Sequence, residues 1–194
     1  MDFQKLIDRV KNILLTPKTE WPVIAAEPAT VKSIFTNYVM ILAAIPALFG
    51  FLAMARISVL AGLVLGVFGY IIACGVIYLL GFLINAFAPS FGGEKNEVQA
   101  MKAAAYAYTA NAVAAIGSII PILGMLIGLA GLAYGIYLLY LGLPHTMKCP
   151  PERAGGYAAV TLIIAWVVNF IISMILGGIV VVGIIGTAAL TGAH

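Results

Sequence analysis

The amino-acid sequence predicts an all-α, polytopic membrane protein: a five-transmembrane-helix bundle preceded by an amphipathic interfacial helix. Three observations predict this class. Of the 194 residues, 63% are hydrophobic and only 9% are charged, whereas about a quarter of the residues in a soluble domain are charged. Apolar runs long enough to cross a bilayer alternate with short polar segments. The basic residues lie almost entirely in those polar segments.

Residues 1–33 form the predicted cytoplasmic segment, and their first part is amphipathic. Between Asp2 and Leu15, apolar residues recur at i, i+3 and i+4, which places them on one face of a helix. The other face is charged, so we expect this helix to lie along the lipid headgroups. The alternative is a helix packed on the protein's own loops. Trp21, which precedes Pro22, is a predicted interfacial anchor.

Residues 34–190 form the predicted transmembrane domain. We count its second apolar run as one crossing, because two crossings of about 20 residues each would not fit. The third run is rich in alanine, and Pro121 separates it from the fourth, which predicts a tight helical hairpin. The five predicted spans cover residues 34–55, 57–88, 101–120, 122–143 and 157–190.

The orientation follows from the basic residues. Of the ten Lys and Arg residues, only Arg56 falls on the side of the membrane opposite the N-terminus. Cytoplasmic loops carry the excess of Lys and Arg, so the N-terminus is predicted to be cytoplasmic and the C-terminus extracytoplasmic. If the third and fourth runs were one span, Lys148 and Arg153 would move to the outer side. The charge distribution therefore favours five spans.

The sequence gives no indication of catalysis. No Asp, Glu, Lys, Arg or His lies deep inside a predicted span, although such residues usually mark proton relays and ion pathways. Neither the Gly-x-Ser-x-Gly elbow of hydrolases nor a phosphate-binding Gly-x-x-x-x-Gly-Lys is present. Cys74 and Cys149 occupy different environments, and His145 has no second ligand nearby. We therefore predict no enzyme, no catalytic residue, no cofactor, no metal site and no nucleic-acid partner.

Uncharged polar side chains do occur inside the predicted spans. We favour interhelical hydrogen bonding, which contributes about 0.6 kcal/mol on average in membranes. The alternative is a polar groove for a headgroup or a small solute. Tyr140, near the cytoplasmic end of the fourth span, is a second predicted interfacial anchor. The candidate polar intramembrane cluster contains Asn85, Tyr106, Thr109, Asn111, Tyr134, Tyr137 and Asn169.

Several stretches of the chain carry a family pattern. They are Pro17-x-x-x-Trp21 with Glu27, Ile120-Pro121-Ile122-Leu123-Gly124, and the stretch from Tyr137 to Pro150, which Tyr157 follows. Together they resemble the bacterial branch of the Yip1 family. This resemblance implies a five-helix membrane domain with a cytoplasmic N-terminus, located in a bacterial inner membrane.

The resemblance does not identify a binding partner for this chain. Eukaryotic relatives work in vesicle traffic and bind Rab-type GTPases, but the Asp-Leu-Tyr-Gly-Pro type of motif associated with that branch is not found in this sequence. A Rab-type GTPase is therefore not carried over as a partner. Bacterial members often have Pro after a Tyr-x-x-Thr-like stretch in the third helix. Here Ala110 follows Thr109, which removes the reason for a proline kink at this point.

The functional prediction is a non-enzymatic integral membrane protein of the Yip1 type that organises the membrane or recruits partners. The expected partners are the lipid bilayer and either another membrane protein or a second copy of the chain. The alternative is a small-solute transporter or passive channel lined by the polar cluster. Solute flux into proteoliposomes that is lost in Asn111→Ala would favour that alternative.

Overall fold

The computed structural model describes the backbone of residues 3–191 and the side chains of residues 3–120, 122–172 and 174. Within this range the chain is helical and contains no strand. A π-helical turn covers Phe35–Val39, and 3₁₀ turns cover Ala88–Phe91 and Ala115–Ile119. The helices are α1 (Phe3–Leu15), α2 (Pro17–Ala26), α3 (Val31–Ala55), α4 (Val59–Phe87), α5 (Glu97–Ala107), α6 (Thr109–Ala114), α7 (Pro121–Met147) and α8 (Pro151–Thr191).

Side-chain caps and prolines define where the long helices begin. The side chains of Thr30, Ser58 and Asn96 precede α3, α4 and α5, and each accepts a hydrogen bond from a backbone N–H in the first turn. These residue types are the preferred caps because they satisfy N–H groups that have no partner within the helix. Pro121 and Pro151 occupy the first positions of α7 and α8, where a missing N–H costs nothing.

Four helical segments are long and apolar enough to cross a membrane. They correspond to the first, second, fourth and fifth predicted spans, so the described part of the chain is all-helical with four candidate membrane spans. Their bounds are Val31–Ala55, Val59–Phe91, Ile122–Met147 and Pro151–Ile172.

The third predicted span differs from the expectation. Residues 101–120 do not form one continuous helix but are divided among α5, α6 and a 3₁₀ turn, with a break at Tyr108. Every residue from Ala100 to Ala107 is buried. Small alanine side chains allow neighbouring helices to approach closely, so this segment is enclosed by protein. Its composition reflects helix packing rather than contact with lipid.

We call the stretch from α5 through α6 to the 3₁₀ turn that ends at Ile119 the α5–α6 segment. This segment nevertheless extends from one end of the bundle to the other. At one end, the Glu94 amide donates to the Met147 carbonyl at 2.8 Å, and Lys148 pairs with Glu94 at 2.7 Å. We call this the charged end. At the other end, the Arg56 guanidinium donates to the Ile119 carbonyl at 3.0 Å. We call this the Arg56 end. The segment therefore lies antiparallel along α7.

Burial is distributed unevenly between the two ends. Large exposed apolar side chains dominate toward the Arg56 end, and a surface of this kind suits lipid and would be costly in water. The fully buried large side chains concentrate toward the charged end and include Trp21, Tyr38, Ile84, Leu138, Leu143, Met147 and Tyr157. The exposed apolar side chains toward the Arg56 end include Leu48, Leu60, Leu63, Phe68, Leu126 and Leu129.

Helices α1 and α2 pack on the bundle near the charged end. Leu6 and Ile13 of α1 are buried, whereas Phe3 and Leu15 are 70% and 69% exposed. Some apolar side chains of α1 are therefore covered by the protein, and others along the edge of the helix are exposed. We call α1 and α2 together the N-terminal arm.

Candidate functional site

Four charged residues join the N-terminal arm to the bundle, and we call them the charge cluster: Arg9, Glu20, Glu27 and Lys102. The guanidinium of Arg9 donates to the carboxylates of both Glu20 and Glu27. Because Arg9 lies on α1 and the two carboxylates lie on α2 and directly after it, these ion pairs fix the two helices of the arm together. Arg9 and Glu20 are both largely buried.

Lys102 fastens the arm to α5. Its ammonium donates to the carbonyls of Ile24, Ala25 and Glu27 at 2.7, 3.2 and 2.6 Å. The last carbonyls of a helix have no partner within that helix, and the helix dipole favours a cation there. Gln99, one turn earlier on α5, adds a hydrogen bond to Ala25 at 2.9 Å. Lys102 therefore caps the C-terminus of α2, and Lys102 itself is only 2% exposed.

The charge cluster is electrically balanced, with two cations and two carboxylates. Burial alone would lower the pKa of Arg9, but Glu27 and Glu20 raise it more, so the net pKa lies above the ordinary value. The guanidinium therefore stays charged. Removing one partner of a buried pair leaves an uncompensated charge, which is strongly unfavourable. Removing Arg9, Glu20 or Lys102 is therefore expected to weaken the docking of the arm.

Three aromatic rings continue from the charge cluster into the bundle, and we call Trp21, Tyr106 and Tyr38 the aromatic stack. The Arg9 guanidinium lies 5.8 Å from the centre of the Tyr106 ring, within the range of a cation–π contact. Tyr106 meets Trp21 edge to face at 6.4 Å and lies 4.4 Å from Tyr38. The Tyr38 hydroxyl shares a 2.7 Å hydrogen bond with that of Thr109.

Trp21 fits against a glycine on α7. A Cβ atom at Gly142 would lie 2.6 Å from Cζ2 of Trp21, closer than real Cβ contacts allow. The indole is fully buried by protein, so Trp21 does not occupy the surface position that was predicted for an interfacial anchor. The physical reason is the missing side chain of Gly142, which leaves space for the ring. Tyr140 is 40% exposed, and its role as an anchor stays a prediction.

The predicted polar cluster is dispersed. Tyr106 and Thr109 belong to the aromatic stack and its hydrogen bond. Tyr134 donates to the Leu14 carbonyl at the end of α1 at 2.7 Å, and its ring lies 5.7 Å from that of Tyr137.

Asn85 lies apart from these residues. It borders a shallow groove with Tyr78 and Met101, and its buried Oδ1 has no hydrogen-bond partner among the described residues.

Asn111 and Asn169 line a separate opening, which we call the lateral cleft. It has a volume of about 370 Å³ and lies between α4, α7, α8 and the α5–α6 segment. Its walls are mainly aliphatic, and Tyr108 adds a third polar side chain. In the described part of the chain, the seven predicted residues therefore lie in separate surroundings and do not line one common path.

The sequence interpretation missed the charge cluster. It counted Lys102 among the basic residues on the N-terminal side of the membrane, whereas the structure buries Lys102 under α2. One signal was available: Lys102 is a single charge at the start of an alanine-rich stretch. Nothing in the sequence pairs Arg9 with Glu20 and Glu27, because that contact depends on how α1 folds back over α2.

The arrangement can hold helices together, and it offers no visible chemistry. Both carboxylates of the charge cluster are engaged by Arg9. Within the described residues, no group of three or more His, Cys, Asp or Glu side chains is placed to hold a metal ion. The site is therefore best described as a docking site for the N-terminal arm.

A comparison with protein families gives one result. The model of the Yip1 domain matches residues 11–172. The matched range begins within α1 and includes all members of the charge cluster except Arg9, as well as Trp21 and Gly142. No curated protein and no solved structure matches the chain.

Proposed function

The chain belongs to the Yip1 family, and from that premise we propose that it is a non-enzymatic protein of the bacterial inner membrane that organises anionic lipid at the inner leaflet. The observation that carries this proposal is the position of α1. The charge cluster and the aromatic stack hold α1 on the bundle, and its residues Lys5 and Lys11 are exposed. A charged helix held beside lipid-exposed apolar helices is suited to anionic headgroups.

In this proposal the chain crosses the membrane five times, and the α5–α6 segment is the third crossing. Two contacts support it. The segment starts beside Met147 and Lys148 at the charged end, and it finishes beside Arg56 at the other end. Because α5, the first half of this crossing, is buried by protein, the crossing needs little apolar surface of its own. The N-terminus then lies in the cytoplasm and the C-terminus outside, in agreement with the distribution of Lys and Arg.

The dimensions of the exposed apolar surface fit a bilayer. On α4 this surface extends from Val59 to Phe82, a rise of about 35 Å at 1.5 Å per residue, which a moderate helix tilt reduces toward the thickness of the hydrocarbon core. The hydrocarbon core of a bilayer is about 30 Å thick. The exposed Tyr78, Tyr137 and Tyr140 would then lie at the inner interface, where tyrosine is enriched.

With these dimensions, α1 would lie at the level of the headgroups. Its last turn is tied to Tyr134, close to the proposed inner interface. Phe3, Ile7 and Leu15 are exposed along its rim and would reach the boundary between headgroups and chains. The exposed charged end, beyond this level, is the surface that a membrane partner or a second copy would meet.

A lipid-selectivity experiment tests this proposal. The protein is reconstituted in vesicles of phosphatidylcholine and phosphatidylglycerol, and electron spin resonance measures the fraction of spin-labelled lipid that is motionally restricted. We expect more restriction of phosphatidylglycerol than of phosphatidylcholine. Basic residues near the membrane surface attract anionic lipid, so changing Lys5, Lys11 and Lys18 to Gln should lower this preference severalfold.

The matched control changes the same three residues to Arg, which keeps the charge and should keep the preference. Equal restriction of both lipids by the unmodified protein would contradict the proposal. So would an unchanged preference in the triple Gln variant.

A further inference from the structure

We propose that the lateral cleft binds one acyl chain of an inner-leaflet phospholipid, with the ester group of that chain near Asn111. The inference rests on the membrane placement in the proposed function, and it adds a specific site and a ligand class. It starts from the size, the opening and the polar groups of the cleft.

The size of the cleft fits a narrow apolar chain. Its volume of about 370 Å³ lies within the range of about 300–1,000 Å³ that is typical of small-molecule sites. A partner helix is about 10 Å across, whereas this volume corresponds to a cube only about 7 Å on a side. A single hydrocarbon chain is narrow enough to enter it.

The cleft opens sideways between α7 and α8. Its rim residues Leu132, Ile136, Ile163 and Trp166 are between 43% and 66% exposed. Along α8, no side chain from Trp166 to Ile172 is buried, so this part of α8 is less covered by its neighbours than the part before Ala165. In the proposed orientation this rim faces lipid hydrocarbon, and a water-soluble ligand would have no direct route to it.

In the proposed orientation, Asn111 lies near the level of the ester groups. Asn111 packs against Gly135, the neighbour of Tyr134, which is tied to the end of α1 at the proposed headgroup level. Within the described residues, the side chains of Tyr108, Asn111 and Asn169 form no hydrogen bond to other side chains or to the backbone. A polar group in an apolar medium is costly unless it is hydrogen-bonded. An ester carbonyl would accept a hydrogen bond from the Asn111 amide.

Photocrosslinking in vesicles tests the site. The full chain is reconstituted in phosphatidylethanolamine and phosphatidylglycerol vesicles that contain a phospholipid with a diazirine in one chain, and adducts are mapped by mass spectrometry. We expect adducts to concentrate on residues of the cleft. Ala165→Phe fills the cleft and should remove most of these adducts. Leu63→Phe adds volume on an exposed face of α4 outside the cleft and should leave them unchanged.

A second experiment tests the ester contact with a substitution that changes the volume of the cleft little. In the unmodified protein, an unlabelled ester phospholipid should compete for the cleft about threefold better than its ether analogue, as expected for one hydrogen bond in a membrane. Asn111→Leu should abolish that difference.

Adducts spread evenly over the exposed apolar residues and insensitive to Ala165→Phe would overturn the cleft proposal while leaving the membrane placement intact. Absence of adducts even on residues such as Leu63 would overturn both proposals.

Discussion

Replacing Lys102 with Met is expected to release the N-terminal arm from the bundle. The ammonium of Lys102 makes three hydrogen bonds to carbonyls at the end of α2. Methionine fills a similar volume but donates none, so those carbonyls lose a charged donor in a buried place. Hydrogen bonds to charged groups contribute about 1.5–3 kcal/mol each and are not additive. We therefore expect the docking free energy to fall by about 3 kcal/mol.

The loss of the Lys102 charge also weakens the docking of the N-terminal arm. Without Lys102, the charge cluster keeps one cation and two carboxylates, and burial of the excess negative charge is unfavourable. A change of about 3 kcal/mol raises the undocked population on the order of 100-fold. The measurement is the rate of trypsin cleavage after Lys11 and Lys18 in mild detergent, since cleavage requires the arm to detach and unfold.

The control for Lys102→Met is Lys95→Met, which removes an exposed lysine from the loop before α5. Its cleavage rate should equal that of the unmodified protein. Gln99→Leu removes one neutral hydrogen bond to Ala25 and should raise the rate only about fivefold. Equal rates for Lys102→Met and Lys95→Met would show that the arm is held by other contacts.

Gly142→Val is expected to displace the indole of Trp21 and to destabilise the protein by about 2–3 kcal/mol. Three ring atoms of Trp21 lie within 2.7 Å of the position that a Cβ at residue 142 would take. The indole cannot yield easily, because it is rigid, fully buried and in contact with Tyr106. Relief requires α2 to move away from α7, which would also strain the charge cluster.

Fluorescence detects the displacement directly. The sequence contains two tryptophans, so a Trp166→Phe background isolates the emission of Trp21. In that background, Gly142→Val should shift the emission to longer wavelength and increase quenching by acrylamide.

The matched variant is Gly128→Val on the same helix, where a Cβ would meet nothing within 4 Å. It should leave the emission of Trp21 unchanged. Identical spectra for the two variants would contradict the proposed fit between Trp21 and Gly142.

The long apolar helices could be predicted because hydropathy measures the surface that a helix offers to lipid. The first, second, fourth and fifth predicted runs correspond to helices of sufficient length. The same criterion does not describe the surroundings of residues 101–120, where the alanine side chains of α5 are buried and the helix breaks at Tyr108. A buried crossing and a lipid-facing crossing follow different composition rules, and the sequence alone does not say which rule applies.

The candidate site was less predictable because its contacts join residues that are distant in the chain. Trp21 and Gly142 lie in two of the stretches that carry the Yip1 resemblance, yet only the structure shows that one fits against the other. An aromatic residue beside a proline has the same sequence signature whether it faces lipid or a glycine of a neighbouring helix. The docking contact of Lys102 could not be predicted because its partners are backbone carbonyls, which leave no mark in a sequence.

The central claim is that the α5–α6 segment carries the chain across the membrane, and sided cysteine labelling tests it most directly. Lys95→Cys and Ile120→Cys, on either side of the segment, are introduced separately after Cys74 and Cys149 have been replaced with alanine. A membrane-impermeant maleimide is applied to cells before and after permeabilisation of the inner membrane. We expect Ile120→Cys to be labelled with that membrane intact and Lys95→Cys only after permeabilisation. Labelling of both positions from the same side would contradict the claim.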